Sequence, residues 1–521
     1  MEESKNLPPE QPAPVPPPYQ PYTFTPPPRY VFPMGKKELL FAAAMLLFSL
    51  LACNCLIYAG ANLGFTLGAA GILIGTFLYL RSHGHKPDAY TAALLILSLL
   101  ILASFPRSAD SSLKFGMVCA LLVIPSLAFC LMADQNLRPS GGISSLLDSP
   151  RALFSLGFGR MAESGRGIKD ACKESGAIGQ KGGSVLLGLL ITIPVVAVLI
   201  PLLMSADAAF EGLLDKMPDL DWNELVCTAI LGCCAAYVFY TRGTALQHLP
   251  KSRKEPKARK GLNAITVNTV LFAVALVYAI YLFSQLAYFV GGFSGILPQE
   301  YTLAQYARRG FFEMGWLCAI NLTLMAVSIG LVTAREKAPP ATRILCLFLG
   351  VVTLFLVSAA SAKMFLYIGS YGLTRLRVLT EMFMLWLAAV TVFVCVWLFR
   401  PKTPYMKLAL TLGLALCAVL MWADVNTQVA RYNVRAYQSG KLETVDIAYL
   451  SDLGYSAVPY LEELTRDSDP ETARRAANFL RNSRTFDDDI RSWNYIKAKA
   501  QPILEQYRYQ TEAESAEVIS E

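Results

Sequence analysis

The chain has 521 residues, of which 54% are hydrophobic and only 16% charged, with a net charge of +7 and a mean hydropathy of +0.42. That balance excludes an ordinary water-soluble domain, in which about a quarter of the residues are charged, and it excludes a wholly disordered chain. It points to a membrane protein, in which about 20 consecutive apolar residues cross the hydrocarbon core as a helix.

Residues 1–34 hold twelve prolines and no apolar run. Proline removes a backbone donor and fixes φ, so this segment reads as an extended, disordered arm. It lacks the basic, apolar and small-residue order of a signal peptide. Its "PPPYQPYTFTPPPRY" has the composition of a polyproline ligand as well as of a plain spacer.

Eleven apolar runs follow within residues 35–423: Leu39–Tyr58, Gly64–Leu80, Tyr90–Phe105, Phe115–Ala133, Ser184–Met204, Leu225–Tyr240, Leu262–Ala287, Phe312–Val332, Ile344–Ala360, Val378–Phe399 and Leu408–Ala423. Pro194 and Pro201 are expected to kink the fifth. With the N-terminus in the cytoplasm and alternating loops, the cytoplasmic loops carry 24 Lys and Arg against 8 on the other side. The positive-inside rule therefore supports an odd number of crossings, which would place the chain after Ala423 outside the cytoplasm.

The inside loop "LPKSRKEPKARKG" (Leu249–Gly261) is a basic cluster suited to anionic lipid headgroups, and the glycine-broken loop Leu147–Ser184 has the spacing of an amphipathic surface helix. The outside loop Ser205–Glu224 is acidic without the ligand spacing of a calcium site. His83 and His85, in "RSHGHK", have no acidic or thiol partner nearby in sequence. Eleven of the twelve cysteines lie in or at the ends of apolar runs, where they read as small buried hydrophobes, and Cys172 lies in a polar loop.

From Asp424 the composition becomes soluble-like, with a net charge of −5. Three short helices are predicted within Thr444–Ser483, with Gly454 closing the first, Ser456 capping the second and Asp469-Pro470 opening the third. A fourth is expected over Asp487–Gln510, with a frayed acidic end at residues 511–521.

The polar residues near the apolar runs gather at one predicted boundary, the outer one: Asp207, Glu313, Lys363, Tyr371, Arg375, Arg377, Glu381, Asp424 and Asn426. The polar joint between the ninth and tenth runs belongs to this cluster. There Arg377 precedes Glu381 by four residues, a helical pairing distance, and Tyr367 and Tyr371 suit an interfacial aromatic belt. These residues read as pins holding helix ends together, or as a polar pocket roofed by the tail. Asn54, Asn268 and Asn321 lie deeper and are expected to bond between helices.

Four stretches, "LLMSADAAF" (Leu202–Phe210), "YARRGFFEMGWLCAINL" (Tyr306–Leu322), "SAKMFLYIGSYGLTRLRVLTEMFMLWLAAV" (Ser361–Val390) and "DVNTQVARYNVRAY…GKLETVDIAYLSDLGYSAVPYLEEL" (Asp424–Leu464), together resemble a bacterial multi-pass membrane family catalogued as a domain of unknown function of the DUF4173 type. Where that pattern carries arginine this chain has Lys363, which keeps the charge and loses the bidentate fork. The resemblance implies a plasma-membrane protein and supplies no catalytic residue. Asp207, Tyr306, Gly310, Glu313, Tyr371, Gly372, Arg375, Arg377, Asp424 and Asn426 match its pattern.

No GxSxG, HExxH or phosphate-binding loop occurs. The first outer loop, "AGANLG", lacks the acids that transferases acting on lipid-linked sugars need. No inverted repeat of the transporter kind is evident. The sequence thus describes an all-α polytopic bundle of about eleven spans with a small extracytoplasmic helical domain (residues 424–510). The function expected is a non-enzymatic envelope scaffold or sensing component coupling that domain to the cytoplasmic loops. The alternative is a transporter or lipid-handling protein with a polar pocket at the outer helix ends. Membrane lipids are expected partners at the basic loops, and proteins at the arm or the tail; nothing points to nucleic acid, a cofactor or a metal.

Overall fold

The computed structural model describes residues 31–136, 148–173, 222–250, 261–293, 311–333, 338–483 and 489–520, with scattered residues between 188 and 206. The Pro-rich arm to residue 30, most of the fifth apolar run with Pro194 and Pro201, the acidic loop 207–221 and the basic cluster 251–260 lie outside these residues. Among the described residues the chain is all-α.

The bundle begins with α1 (Lys36–Asn54), which passes into a π-helical turn (Cys55–Ala59), then α2 (Leu63–Ser82), α3 (Ala89–Ser104) and α4 (Ser111–Met132). A surface helix, α5 (Met161–Lys173), precedes α6 (Trp222–His248), α7 (Ala264–Phe293), α8 (Phe311–Thr333), α9 (Pro340–Tyr371), α10 (Arg375–Phe399) and α11 (Tyr405–Ala423). Nine of these helices are long and apolar enough to cross a membrane, and α3 is a shorter apolar helix. Each predicted run except the fifth thus lies within one described helix or overruns it by a residue or a few.

Three sequence readings are corrected. The polar joint is not a joint: α9 runs unbroken through Lys363 to Tyr371, and only Gly372–Thr374 turn the chain. Arg242, counted as a loop cation, lies inside α6 and is buried. Lys114, assigned to an outer loop, lies in the first turn of α4 and is buried too.

Short side chains let helices meet closely. A Cβ on Gly68 of α2 would lie 2.6 Å from the Ala52 amide of α1, and one on Gly232 of α6 would lie 2.9 Å from Leu50 Cα. Helix α1 is therefore clamped between α2 and α6, as small-residue faces allow in a lipid solvent. One apolar core joins α1–α4, α6 and α11, and a second joins α7–α10. Large apolar side chains stay exposed on the flanks, including Phe272, Phe283, Ile265 and Trp316, a surface that suits hydrocarbon rather than water. The three amides bond between helices as expected, but only Asn321 is deep: Asn54 ends α1 and Asn268 lies in the second turn of α7. Asn321 accepts from Tyr278 of α7 at 2.8 Å and donates to Thr353 of α9 at 3.1 Å; Asn268 accepts from Thr342 at 2.6 Å; Asn54 donates to Thr228 at 3.0 Å.

The tail is α12 (Val425–Gln438), α13 (Ile447–Asp452), α14 (Val458–Leu464), α15 (Pro470–Asn482) and α16 (Tyr495–Ser520). Helix α12 precedes the helices that the sequence predicts for the tail, which begin at Thr444. Asp469 caps α15 by accepting from Glu471 N and Thr472 N, as its sequence predicts. Ser456 does not cap α14 but donates its hydroxyl to Asp424. Helix α16 starts at Tyr495, later than expected, and continues to Ser520, past the point where an acidic frayed end is predicted. The tail core, around Val429, Leu450, Leu461 and Leu504, is continuous with Leu113, Leu373, Val378 and Leu420 at one end of the bundle. That end is called the tail end below, and the other the Lys36 end.

Candidate functional site

The tail end carries the polar residues that the sequence groups together, with others it does not. Asp424 stands at the centre. It ends α11 and caps α12 with φ of +46°, a left-handed conformation that aspartate tolerates better than most residues. Its carboxylate is buried and accepts from Ser108 Oγ at 3.3 Å, Ala109 N at 3.2 Å, Thr427 N at 3.2 Å, Ser456 Oγ at 2.8 Å and the Thr427 hydroxyl. One side chain thereby ties the α3–α4 turn, the start of α12 and the tail.

Arg375 opens α10. Its guanidinium meets Asp110 at 3.2 Å, and its amide donates to the Tyr449 hydroxyl of α13 at 2.8 Å. Asp110 also caps α4 by accepting from Leu113 N at 3.0 Å. The cap position before "SSLK" is the local signal for Asp110; its partner is invisible in local sequence.

Arg377 does not pair with Glu381, as the helical spacing suggests. It donates to the Tyr371 and Gly372 carbonyls that end α9, and it lies 4.1 Å over the Tyr367 ring, which in turn packs on Tyr371 at 5.0 Å. Free carbonyls at a helix C-terminus carry partial negative charge, so they compete for the guanidinium. Glu381 faces Ser361 of α9 and keeps one buried carboxylate oxygen without a hydrogen bond. Asn426 donates to the Leu453 carbonyl at 3.5 Å, and Lys363 is half-buried in α9. Glu313 falls in the first turn of α8, and Asp207 and Tyr306 lie outside the described residues.

A second set of contacts, absent from the sequence reading, fastens the approach to α16. Asn494 donates to Asn62 Oδ1 at 3.2 Å and to the Ser108 carbonyl at 2.7 Å, and Lys114 donates to the same Asn62 oxygen at 2.7 Å. Arg491 meets Asn54 at 2.8 Å, Asp489 at 2.9 Å and Glu224 at the start of α6. Hydrogen bonds from its guanidinium to Glu224 and Asp489 hold Arg491 above the usual arginine range. The Arg107 guanidinium lies 6.0 Å from the centre of the Trp422 ring and 5.4 Å from that of Tyr495.

The Lys36 end has its own polar centre. Buried Glu38 accepts from Gly35 N at 3.0 Å and the Tyr79 hydroxyl at 3.2 Å, and faces His83 at 3.1 Å and His248 at 3.6 Å. His85 turns away to Gln247. Among the described residues no cluster of three or more His, Cys, Asp or Glu has metal-site geometry.

Residues 69–464 match the family described as Domain of unknown function (DUF4153). The chain belongs to the DUF4153 family. This corrects the DUF4173 type suggested by the motifs. The DUF4153 match takes in α2 at one end and α14 at the other, so it covers the Asp424 and Arg375 contacts and leaves out α1 and the Asn494 and Arg491 anchors. No curated protein and no solved structure matches the chain.

Proposed function

We propose that this protein is a non-catalytic, multi-pass component of a bacterial plasma membrane that transmits events at an extracytoplasmic helical domain to basic loops on the cytoplasmic face. The supporting observation is the absence of a linker between bundle and tail: α11 passes into α12 at the single residue Asp424, whose carboxylate also grips the α3–α4 turn. A domain joined this way moves with the helices beneath it. The polar groups at the tail end bond chiefly to one another and to main-chain groups, which favours a docking joint over a ligand pocket there. Lipid headgroups at the basic loops, and a protein met by the exposed tail, are the partners this reading implies.

Two measurements test it. A reporter that fluoresces only in the cytosol, fused after Glu521, should stay dark; a bright cell overturns the orientation. A photo-crosslinking residue at exposed Ile490 or Tyr509 should capture a discrete protein in intact cells, and Asp424→Ala should weaken that capture. Capture unchanged by Asp424→Ala, or none at either position, overturns the coupling.

A further inference from the structure

Between α1, α2, α4 and α6 lies an apolar cavity of about 230 Å³, touched also by Leu102 of α3. Two polar side chains line it, Ser49 and Arg242. Arg242 is 2% exposed. One of its terminal nitrogens, Nη1, donates to Ser126 at 2.7 Å, and its plane lies near the Phe239 and Phe129 rings. Its Nε and Nη2 have no hydrogen-bond partner, nor does Ser49 Oγ, and no ion pair reaches Arg242 among the described residues.

A buried cation without an anion is costly, and more so at membrane depth. The two empty donors are not arbitrary: Nε–H and the adjacent Nη2–H form one edge of the guanidinium, the parallel fork that matches two oxygens of a phosphate or carboxylate. Arg242 lies six residues before the end of α6 at His248, roughly 9 Å along the helix axis. From there the cavity extends past Ser49 and Cys53 toward Leu56 and Phe65, which are nearer the tail end. Leu56 and Leu122, each 42% exposed, leave its flank open to the side. A cation near one leaflet thus heads an apolar groove running toward the tail end of the bundle.

We propose that this groove holds one anionic phospholipid, its phosphate on the Nε–Nη2 edge of Arg242 and an acyl chain in the cavity. The lipid enters from the leaflet at the Lys36 end. The phosphate supplies the missing counter-charge, and the chain fills space that would otherwise be a void. This site lies away from the tail-end cluster and does not depend on the coupling role proposed above.

The test uses the full-length protein, delipidated and reconstituted with equal phosphatidylglycerol and phosphatidylethanolamine, and native mass spectrometry to count retained lipids. Wild type should keep one phosphatidylglycerol per chain. Arg242→Gln should lower that occupancy by about tenfold. As a control against misfolding of Arg242→Gln, Ala69→Phe, which fills the groove and leaves Arg242 in place, serves as the second variant and should lower it similarly while circular dichroism stays helical. Equal retention of the two lipids, retention of a fatty acid alone, or phosphatidylglycerol held equally by wild type and a folded Ala69→Phe would each overturn the assignment.

Discussion

Asp110 and Arg375 are 265 residues apart in the chain and 3.2 Å apart in space, and between them they fasten the start of α4 to the start of α10. The two partners are not equivalent, because the Asp110 side chain is fully buried and that of Arg375 is 40% exposed. Asp110→Ala loses a helix cap along with the ion pair and should cost about 2–3 kcal/mol. Arg375→Ala keeps the backbone bond to Tyr449 and should cost about 1–2 kcal/mol, since water reaches the guanidinium. A double-mutant cycle on thermal unfolding in detergent should give a coupling of about 1 kcal/mol; strict additivity would mean the pair contributes nothing.

Arg377 and Glu381 should behave in the opposite way. Their spacing suits a helical ion pair, yet Arg377 is committed to the carbonyls that end α9 and to the Tyr367 ring. The Arg377→Ala and Glu381→Gln effects should add. The cycle of Arg377→Ala with Tyr367→Leu should instead show about 0.5–1 kcal/mol of coupling. Coupling in the first pair and none in the second would refute the described geometry.

What the sequence revealed follows from the range of each signal. A continuous apolar run is one-dimensional information, so Leu39–Tyr58 and Val378–Phe399 announce helices wherever they pack. A cap is nearly as local, and Asp469-Pro470 declares its helix. The joint after Ser361 misled because charge and aromatic content say nothing about helix continuity there; Gly372, with φ of +76°, is the true break. Helix α12 was legible in Val425, Val429 and Val434 behind the Asp424 cap, but its polar composition hid it. Asn494 with Ser108, or Arg491 with Glu224, is a long-range pairing that no spacing rule reaches. The sixth apolar run stops at Tyr240, so Arg242 reads as a loop charge, whereas the helix continues through polar residues to His248.

Asp424 combines an unusual backbone with five accepted hydrogen bonds. Asp424→Ala should be the most damaging substitution in the tail-end cluster, at roughly 3–5 kcal/mol, because it strains the left-handed residue and strands the buried Ser108 and Ser456 hydroxyls. Asp424→Asn keeps an acceptor and tolerates that backbone, so it should cost about half as much. Limited proteolysis of the tail, with cleavage rate as the readout, orders the three proteins. Equal rates for the two variants would mean the charge alone matters.

Acid should loosen α15 before the rest of the tail. Hydrogen bonds from the Thr472 side chain, then from the Thr472 and Glu471 amides, hold the Asp469 carboxyl below its usual range. A depressed folded pKa gives stability that is complete above the unfolded value, near 4, and is lost as pH falls through the folded value. Hydrogen exchange at the first turn of α15, corrected for intrinsic rates, should therefore speed up below about pH 4. Asp469→Asn keeps a capping oxygen that does not titrate, and it should flatten that response. An unchanged acid response in Asp469→Asn would assign it to another group.

The turn that replaces the expected joint offers the sharpest single substitution. Gly372 has φ of +76°, and a Cβ there would lie 2.6 Å from Asn433 Oδ1. That oxygen accepts from Leu373 N at 2.7 Å while the same amide group donates to the Leu373 carbonyl at 2.8 Å, so one α12 side chain satisfies both main-chain groups of the turn. Gly372→Ala strains the backbone and displaces Asn433, and should cost about 2–4 kcal/mol. Asn433→Ala alone should cost about 1–2 kcal/mol, because it leaves the half-buried Leu373 amide and carbonyl without that partner. The two effects share the same bonds, so the double variant should be less damaging than their sum. Full additivity in detergent melts would show that backbone strain at Gly372, rather than the lost Asn433 clamp, carries the whole effect.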